Sequence, residues 1–319
     1  AMSNAHVLQR FDDWLQDDSP VAALVMCQRL APVEGKDAVI FPPTYAKPER
    51  MRDEDWTGYN IDRFEDGTSV CLIDSVGSHA NRMEPIFKRG PYRNLVPQVT
   101  IRVGGKEVNL LDAGHRAADA VVRFSDLASE LKRAFLAVRD TGNAEPLAKI
   151  APTSIVFGTW DSRETQVKLP RIVRSVIRAY DVRPMHRSAQ YIPTLDYVSE
   201  GLLPPPEGKQ QQDAMSELGL SHAPAPWTHG GVLVLKEIRR EATLNLIAIR
   251  HLGAPEEDDR VLKLRRYILG LALVAFTAPP ETSLREGCQL VPDSQKPTTW
   301  ELVSQDGKRS PWNATHQEV

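Results

Sequence analysis

Strand-like and helix-like segments follow one another along this 319-residue chain with long polar excursions between them, and their order is the feature that most constrains its fold. Residues 21–33 and 69–75 are short, apolar and rich in β-branched side chains, which is typical of buried strands. Residues 256–278 resemble a single helix, in which the charged stretch 256–266 precedes the apolar run 267–278, so we expect a core helix there. The order strand, helix, strands, helices, strands, helix predicts an α+β fold on a modest antiparallel sheet.

Several local patterns predict particular elements. Gly104 and Gly105 lie between alternating residues and predict a β-hairpin. A helix is expected over 115–143, with Gly142 as its C-cap, and another is expected to begin at 77 with Ser78 as its N-cap. We also expect an amphipathic helix over 6–17, a buried strand at "TSIVFGTW" (153–160) and two strands in 230–252.

Long polar excursions separate these segments. Residues 35–67 have little periodicity and predict a long loop. Residues 198–231 contain runs of proline and glutamine, and we interpret "LPPPEGKQQQD" (203–213) within them as a flexible or inserted segment without a core element. After residue 279 we expect a strand or two, followed by a mobile tail over 306–319.

The bulk composition is that of an ordinary globular protein with a slight negative charge. The net charge of −3 and the pI near 6.3 argue against a protein that coats DNA, so any nucleic-acid surface must be local. Cys27, Cys71 and Cys288 form no C-x-x-C pair, which excludes a zinc knuckle and fits a reducing cytoplasm. We expect a cytoplasmic protein with no signal peptide and no membrane partner, since the longest apolar run is too short to span a bilayer.

Basic residues concentrate in one part of the chain. Between Asp161 and Gln190 there are seven Lys or Arg residues against three acidic ones. Arginine is well shaped for phosphate, because its planar fork donates two hydrogen bonds and stays charged. For 171–184 the periodicity slightly favours a helix, whereas the β-branched content favours a strand; either geometry aligns the guanidinium groups.

The neighbours of this stretch suggest nucleic acid. Trp160 and Tyr191 bracket it and offer rings for stacking on unpaired bases. "SHANRM" (78–83) adds a second polar and basic cluster at the start of a helix, where free N–H groups favour anions. From the residues alone, a solvated charged face explains the pattern about as well.

"LIDSVGSHANRMEP" and "SIVFGTWDSRETQVKLPRIVRSVIRAYDVRPMHRSAQY" resemble the repeated backbone subunit of type I-U (now type I-G) CRISPR surveillance complexes, a member of the RAMP superfamily. The resemblance covers most of residues 20–300. It implies an RRM-like, ferredoxin-like palm over 20–300, with thumb or finger insertions near 35–67, 159–170 and 198–231. An N-terminal segment (1–19) and a C-terminal tail (301–319) would flank the palm. It also implies that 171–182 is a palm strand, which we adopt over the helical periodicity.

The resemblance implies that the protein oligomerises along CRISPR RNA, contacts other Cascade subunits and presents the guide for pairing with target DNA. Some candidate residues have a structural alternative: His79 as a packed neutral histidine, Trp160 as a core residue, and His186 and Arg187 as contacts to a neighbouring subunit. The candidate RNA-binding residues are Ser78, His79, Asn81, Arg82, Trp160, Arg163, Lys168, Arg171, Arg174, Arg178, His186 and Arg187.

Two other functions compete with RNA binding. RNA-cleaving type III relatives use an acidic residue near the guide, and Asp161, Glu164 or Asp74 occupies a comparable place. No paired histidine, metal-ligand cluster or phosphate-binding Gly-rich motif supports an enzyme, so we expect no catalysis, metal or cofactor. The third possibility is a structural subunit whose basic stripe meets acidic protein partners only.

Overall fold

The structure of the protein, a computed structural model, describes residues 11–255, 259–313 and 315–319. It combines helices with a large antiparallel sheet, which confirms the α+β prediction. The strands are β1 (Val21–Pro32), β2 (Val39–Ile40), β3 (Ile61–Arg63), β4 (Ser69–Asp74), β5 (Thr100–Val103), β6 (Lys106–Asn109), β7 (Thr159–Trp160), β8 (Lys168–Leu169), β9 (Val173–Tyr191), β10 (Ala223–Asn245), β11 (Ser283–Arg285), β12 (Cys288–Pro292), β13 (Thr299–Ser304) and β14 (Arg309–Pro311).

Helices fill the long connections between the strands. The α-helices are α1 (Asp12–Leu15), α2 (Val76–Met83), α3 (Ala120–Arg123), α4 (Ala128–Thr141), α5 (Glu145–Ile150), α6 (Pro152–Val156), α7 (Lys209–Glu217), α8 (Leu246–Arg250) and α9 (Arg260–Thr277). Short 3₁₀ turns occur at Asp53–Asp55, Glu84–Lys88, Gly90–Leu95, Leu110–Asp112, Arg116–Ala118 and His316–Glu318.

The main sheet has the strand order β11-β12-β1-β10-β9-β4-β3, and β13 pairs with another part of β1. Antiparallel register places Leu24 opposite Leu244, which in turn lies opposite Val173. These three residues are buried on the same face and pack in one core with α9. Burial of apolar side chains from α9, such as Ile268, therefore attaches the helices to this face of the sheet.

Strands β9 and β10 form an unusually long antiparallel pair. The segment 171–182 is largely strand, as the resemblance predicted, and β9 continues to Tyr191. Residues 185–191 are exposed and pair only with β10 among the strands that the structure describes. The two strands thus extend beyond the sheet as a ribbon, with α7 in the connection at its far end.

Several local predictions are confirmed. Gly104 and Gly105 both have positive φ and join β5 to β6, as expected for a tight hairpin turn. Gly142 is left-handed and ends α4. The helix expected over 115–143 is instead a 3₁₀ turn followed by α3 and α4.

Other predictions are wrong. "TSIVFGTW" was expected to be a strand, but α6 covers Pro152–Val156 and only Thr159–Trp160 pairs in a sheet. Pro152 at the helix start and burial on all sides explain this, since an apolar run without alternation fits a buried helix equally well. The second strand expected within 230–252 is α8, which Asn245 caps by accepting a hydrogen bond from the Ala248 N–H.

The polar excursions take different forms. Residues 35–67 are mostly irregular, as expected, although Ile40 and Tyr59 are buried in a second core cluster. Within 198–231, helix α7 begins inside the segment 203–213 and has no buried residue, and residues 223–231 belong to β10. The helix expected over 6–17 comprises Asp12–Leu15, and its residues 6–10 lie outside the described residues.

The tail over 306–319 was expected to be mobile, but much of it is attached to the fold. Strand β14 pairs with β13, and Trp312 is buried against the rings of Trp14 and Trp300. The predicted domain and insertion boundaries themselves stay a prediction. Across the part of the chain that the structure covers, no helix has both the length and the apolar character needed to cross a bilayer.

Replacing Trp312 by Ala should destabilise the protein, because the indole fills a site between Trp14 and Trp300 with ring centroids 6.3 and 6.0 Å away. Loss of a buried Trp typically costs about 3–5 kcal/mol of unfolding free energy. Denaturant unfolding measures this, with W160A as control, since Trp160 is exposed and its loss should change stability by less than about 0.5 kcal/mol. Equal stability of the two variants would contradict docking of the tail.

Candidate nucleic-acid interface

A cleft of about 770 Å³ opens between the 3₁₀ turn at Arg116–Ala118, helix α3 and the β7–β8 hairpin. Its lining is strongly basic. The only carboxylate that lines it within the described residues is that of Asp119, which caps α3 by accepting hydrogen bonds from the Val121 and His115 N–H groups. A recess with this charge attracts anions. The cationic side chains that line it are Arg116, Arg123, Arg163, Lys168 and Arg171.

The β7–β8 hairpin carries three of the predicted residues. Trp160 lies opposite Lys168 in the ladder, with the Lys168 Nζ 5.6 Å from the ring centroid. The indole is 57% exposed, so it has the placement of a stacking platform and not of a core residue. Arg163, in the loop of the hairpin, is exposed as well.

Asp161 holds the loop of this hairpin in shape. Its Oδ2 accepts hydrogen bonds from the Thr165 N–H at 2.8 Å and the Thr165 hydroxyl at 2.6 Å, and the side chain is buried. Burial alone would raise the pKa of Asp161, but these hydrogen bonds and others from the backbone outweigh it and lower the pKa. Glu164 pairs instead with Lys132 at 2.7 Å.

Arg171 reaches the inner end of the cleft. Its Nη1 donates to the Phe157 carbonyl at 2.7 Å, and burial together with the charges of Arg116 and Arg174 lowers its pKa. Gly158 makes room for it: φ is +76° there, and a Cβ would lie 2.9 Å from the Arg171 Cγ. On the other side, a Cβ on Gly77 of α2 would lie only 3.8 Å from the Arg171 Nη2. The second predicted cluster therefore borders the cleft.

Helix α2 presents Asn81 to this region. Asn81 is exposed, and its Oδ1 accepts a hydrogen bond from the Arg116 Nη2 at 3.1 Å. The N-cap of α2 is Ser75, whose hydroxyl accepts from the Ser78 N–H; the prediction of Ser78 as the cap is wrong. Gly77 and Ser78 suggested a later start of the helix, whereas the actual cap, Ser75, follows directly after β4.

His79 and Arg82 lie on the inner side of α2. His79 is fully buried, and its Nδ1 lies 2.8 Å from the Asp74 Oδ2, which is also 3.2 Å from the Arg82 Nε. Burial lowers the pKa of His79, so its imidazole is neutral at pH 7. Burial would raise the pKa of Asp74, but hydrogen bonds with His79 and Ser78 and the charge of Arg82 lower it. His79 is therefore a packed histidine, which was the structural alternative to RNA binding. Arg82 belongs to a polar network in which it also donates to the Leu284 carbonyl.

Arg174 and Arg178 lie on the sheet face opposite the core. Arg174 is exposed, and its charge acts on Arg171. Arg178 lies opposite Arg239, and Glu241 is 3.9 Å from Arg178 and 3.7 Å from Arg239. This face is therefore more nearly charge-balanced than the cleft.

His186 and Arg187 lie farther away, on the exposed ribbon. His186 is opposite His229 in the ladder, and the Arg187 Nε donates to the Thr228 hydroxyl. The predicted residues therefore fall on three surfaces: the cleft with α2, the open sheet face and the ribbon.

Several residues of the cleft were not predicted from the sequence. Arg116 and Arg123 fall within 115–143, for which one continuous helix was predicted and no binding role was assigned. Arg116 instead has φ of +53° and is buried, which no pattern in the sequence indicates. Among the described residues, no group of three or more His, Cys, Asp or Glu side chains is arranged to hold a metal ion.

Comparison with known proteins identifies the family of the chain. A family model described as CRISPR-associated protein GSU0053 matches residues 24–184, about half of the chain. The chain therefore belongs to this CRISPR-associated family, which links it to CRISPR antiviral defence. The matched residues include α2, the 3₁₀ turn at Arg116–Ala118 and the β7–β8 hairpin. No curated protein matches the chain at a significant level.

Replacing Asp74 by Asn should destabilise the fold, because it leaves Arg82 without its carboxylate and disturbs the buried contact with His79. Breaking a buried charge pair costs about 3–5 kcal/mol of unfolding free energy, and Arg82 is partly exposed, so we expect about 2–3 kcal/mol. Urea unfolding measures the loss. D112N is the control, since it removes one partner of the partly exposed Lys88–Asp112 pair; a D74N variant as stable as D112N would refute the structural role.

Proposed function

We propose that the protein binds CRISPR RNA along its phosphate backbone, as the repeated backbone subunit of a type I-G surveillance complex. The observation that carries this proposal is the basic cleft, which brings together residues from two distant parts of the matched region. The family match supports the CRISPR setting. The subtype and the backbone role rest on the resemblance of residues 70–90 and 153–197.

The strand order supports a ferredoxin-like palm. Helices lie between β1 and β9, β10 is the next strand after β9 beyond the connection that holds α7, and α9 precedes the last strands. Strand β1 lies between β10 on one side and β12 and β13 on the other. This order is consistent with the strand–helix–strand–strand–helix–strand pattern of ferredoxin-like folds, with β3 and β4 as additional strands at one edge, and so supports the proposed palm. The β7–β8 hairpin and the ribbon then project from the palm as candidate finger and thumb.

The chemistry of the cleft favours contact with phosphates over contact with base edges. Guanidinium and ammonium groups donate to phosphate oxygens without selecting a sequence. An exposed indole such as Trp160 stacks on any unpaired base. A subunit that holds a guide needs this combination, because the guide reads its DNA target by base pairing.

We infer that the protein is not a nuclease. The Asp161 carboxylate is buried and accepts hydrogen bonds within its loop, and Glu164 is paired with Lys132, so neither acid of the β7–β8 loop is poised for proton transfer. We expect guide and target RNA to stay intact with the protein and Mg²⁺. Cleavage that D161N or E164Q abolishes would overturn this inference.

Salt titration of RNA binding tests the proposed function. Replacing Arg163, Arg171 or Arg174 singly by Ala should weaken binding to single-stranded RNAs of different sequence by the same factor, on the order of tenfold. The slope of log K against log salt should fall by about 0.7 for each phosphate contact that is lost.

R102A is the matched control, because Arg102 is an exposed arginine on the separate β5–β6 hairpin and pairs with Glu107. It should bind RNA like the unmodified protein. A loss confined to particular sequences would indicate base-edge reading. Absence of salt-sensitive binding to RNA, both by the chain alone and by the assembled complex, would favour a structural subunit that contacts protein only.

A further inference from the structure

One buried arginine joins the parts of the cleft. The Arg116 Nε lies 2.8 Å from the Glu84 Oε2, the Nη2 donates to Asn81, and the Nη1 donates to the Gly158 carbonyl at 3.4 Å. The guanidinium also lies 5.4 Å from the centroid of the Phe157 ring. These contacts connect α2, the 3₁₀ turn that follows it and the segment leading into β7. Arg116 and Glu84 are 4% and 1% exposed.

The backbone of Arg116 is unusual as well. Its φ of +53° lies in the left-handed region, which costs a non-glycine residue about 1 kcal/mol or more. Such conformations persist where the surrounding structure holds them, and they concentrate at functional sites. The buried contacts of the side chain supply this restraint.

We propose that Arg116 is the positioning residue of the cleft, and that Glu84 controls how much of its positive charge a bound phosphate meets. This inference rests on the proposed RNA-binding function. It assigns the recognition of RNA phosphate to a buried pair of residues beneath the surface arginines.

The positioning acts first on Asn81. A guanidinium group only donates hydrogen bonds, so Asn81 must turn its carbonyl oxygen toward Arg116. The amide NH₂ of Asn81 then faces away from Arg116 as a donor, next to Gly114 at the rim of the cleft. Arg116 itself has five N–H groups and therefore retains donors beyond these contacts.

Glu84 determines the charge beneath the cleft. Burial raises the pKa of Glu84 to about 7, although the charge of Arg116 and a hydrogen bond from Thr153 oppose this, and Asp112 raises it further. The charge of Arg171 also acts on Glu84. Above pH 7 the ionised carboxylate offsets the Arg116 charge; below pH 7 it takes up a proton and the cleft becomes more positive. RNA binding should therefore tighten as the pH falls from 8 to 6.

The test is RNA affinity from pH 6 to pH 8.5 at constant ionic strength, using the full chain and a single-stranded RNA. Imidazole groups also gain protons in this range, so all variants carry H115Q, which removes the histidine lining the cleft. We expect affinity to rise about tenfold between pH 8 and pH 6. By linkage, this rise corresponds to a tenfold increase in the proton affinity of Glu84 when RNA binds. E84Q should bind at pH 8 as the H115Q protein does at pH 6, with no pH dependence.

E107Q is the control, since it neutralises an exposed, paired glutamate on the β5–β6 hairpin and should keep the pH dependence. A pH-independent affinity in the H115Q protein, or a pH dependence that E84Q retains, overturns the inference and leaves RNA binding intact. Absence of RNA binding at every pH overturns both the inference and the proposed function. Thermal unfolding at each pH verifies that the variants are folded.

A second measurement tests the positioning of Asn81 without changing Glu84. Asn81 is exposed, so N81A should remain folded. If Arg116 acts partly through Asn81, R116Q should weaken RNA binding less in the N81A protein than in the unmodified protein. R116Q removes the charge that lowers the pKa of Glu84, so it should move the pH dependence of binding to higher pH, whereas R116K should keep it near that of the unmodified protein. Fully additive losses from N81A and R116Q would contradict the positioning role.

Discussion

The antiparallel pairing of β9 with β10 is the constraint on which the rest of the structure depends. At its inner end Val173 lies opposite Leu244, and the backbone bonds from Asn245 N–H to the Ile172 carbonyl and from Ile172 N–H to the Val156 carbonyl continue the connection into α6. These two bonds hold Ile172, which directly precedes the ladder, and they thereby place its neighbour Arg171 at the cleft. At its outer end the same pairing continues as the ribbon. One pair of strands thus sets the positions of the core, the cleft and the projecting ribbon.

The structure explains why arginine is concentrated in this part of the chain. The β7–β8 hairpin and β9 contribute residues to three surfaces in turn. Arg163, Lys168 and Arg171 line the cleft, where Asp119 is the one carboxylate among the described lining residues. Arg174 and Arg178 lie on the open sheet face, where glutamates of β10 offset part of the charge. Arg187 lies on the ribbon, 5.9 Å from the centroid of the Phe41 ring. A slightly acidic protein thereby presents a strongly basic surface at one place.

The sequence was sufficient to predict features that depend on local chemistry. The fold class, the first strand, the Gly104-Gly105 turn and the end of α4 at Gly142 follow from alternation and from glycine geometry. Two predicted clusters do meet, through Arg171 beside Gly77 and through Asn81. Arg116 and Glu84 were not identified, because their roles come from burial and from contacts between distant segments. "TSIVFGTW" was misassigned for a related reason: a short apolar run, buried on all sides, has no alternation that separates strand from helix.

The most direct measurement of the central claim is photo-crosslinking of a 4-thiouridine-containing single-stranded RNA to the full chain, with the crosslinked peptides identified by mass spectrometry. The account predicts that crosslinks concentrate together in residues 76–82, 114–123 and 159–171, and that added salt reduces all three in parallel. Crosslinks confined to the ribbon or to the open sheet face, with none in these three segments, would contradict it.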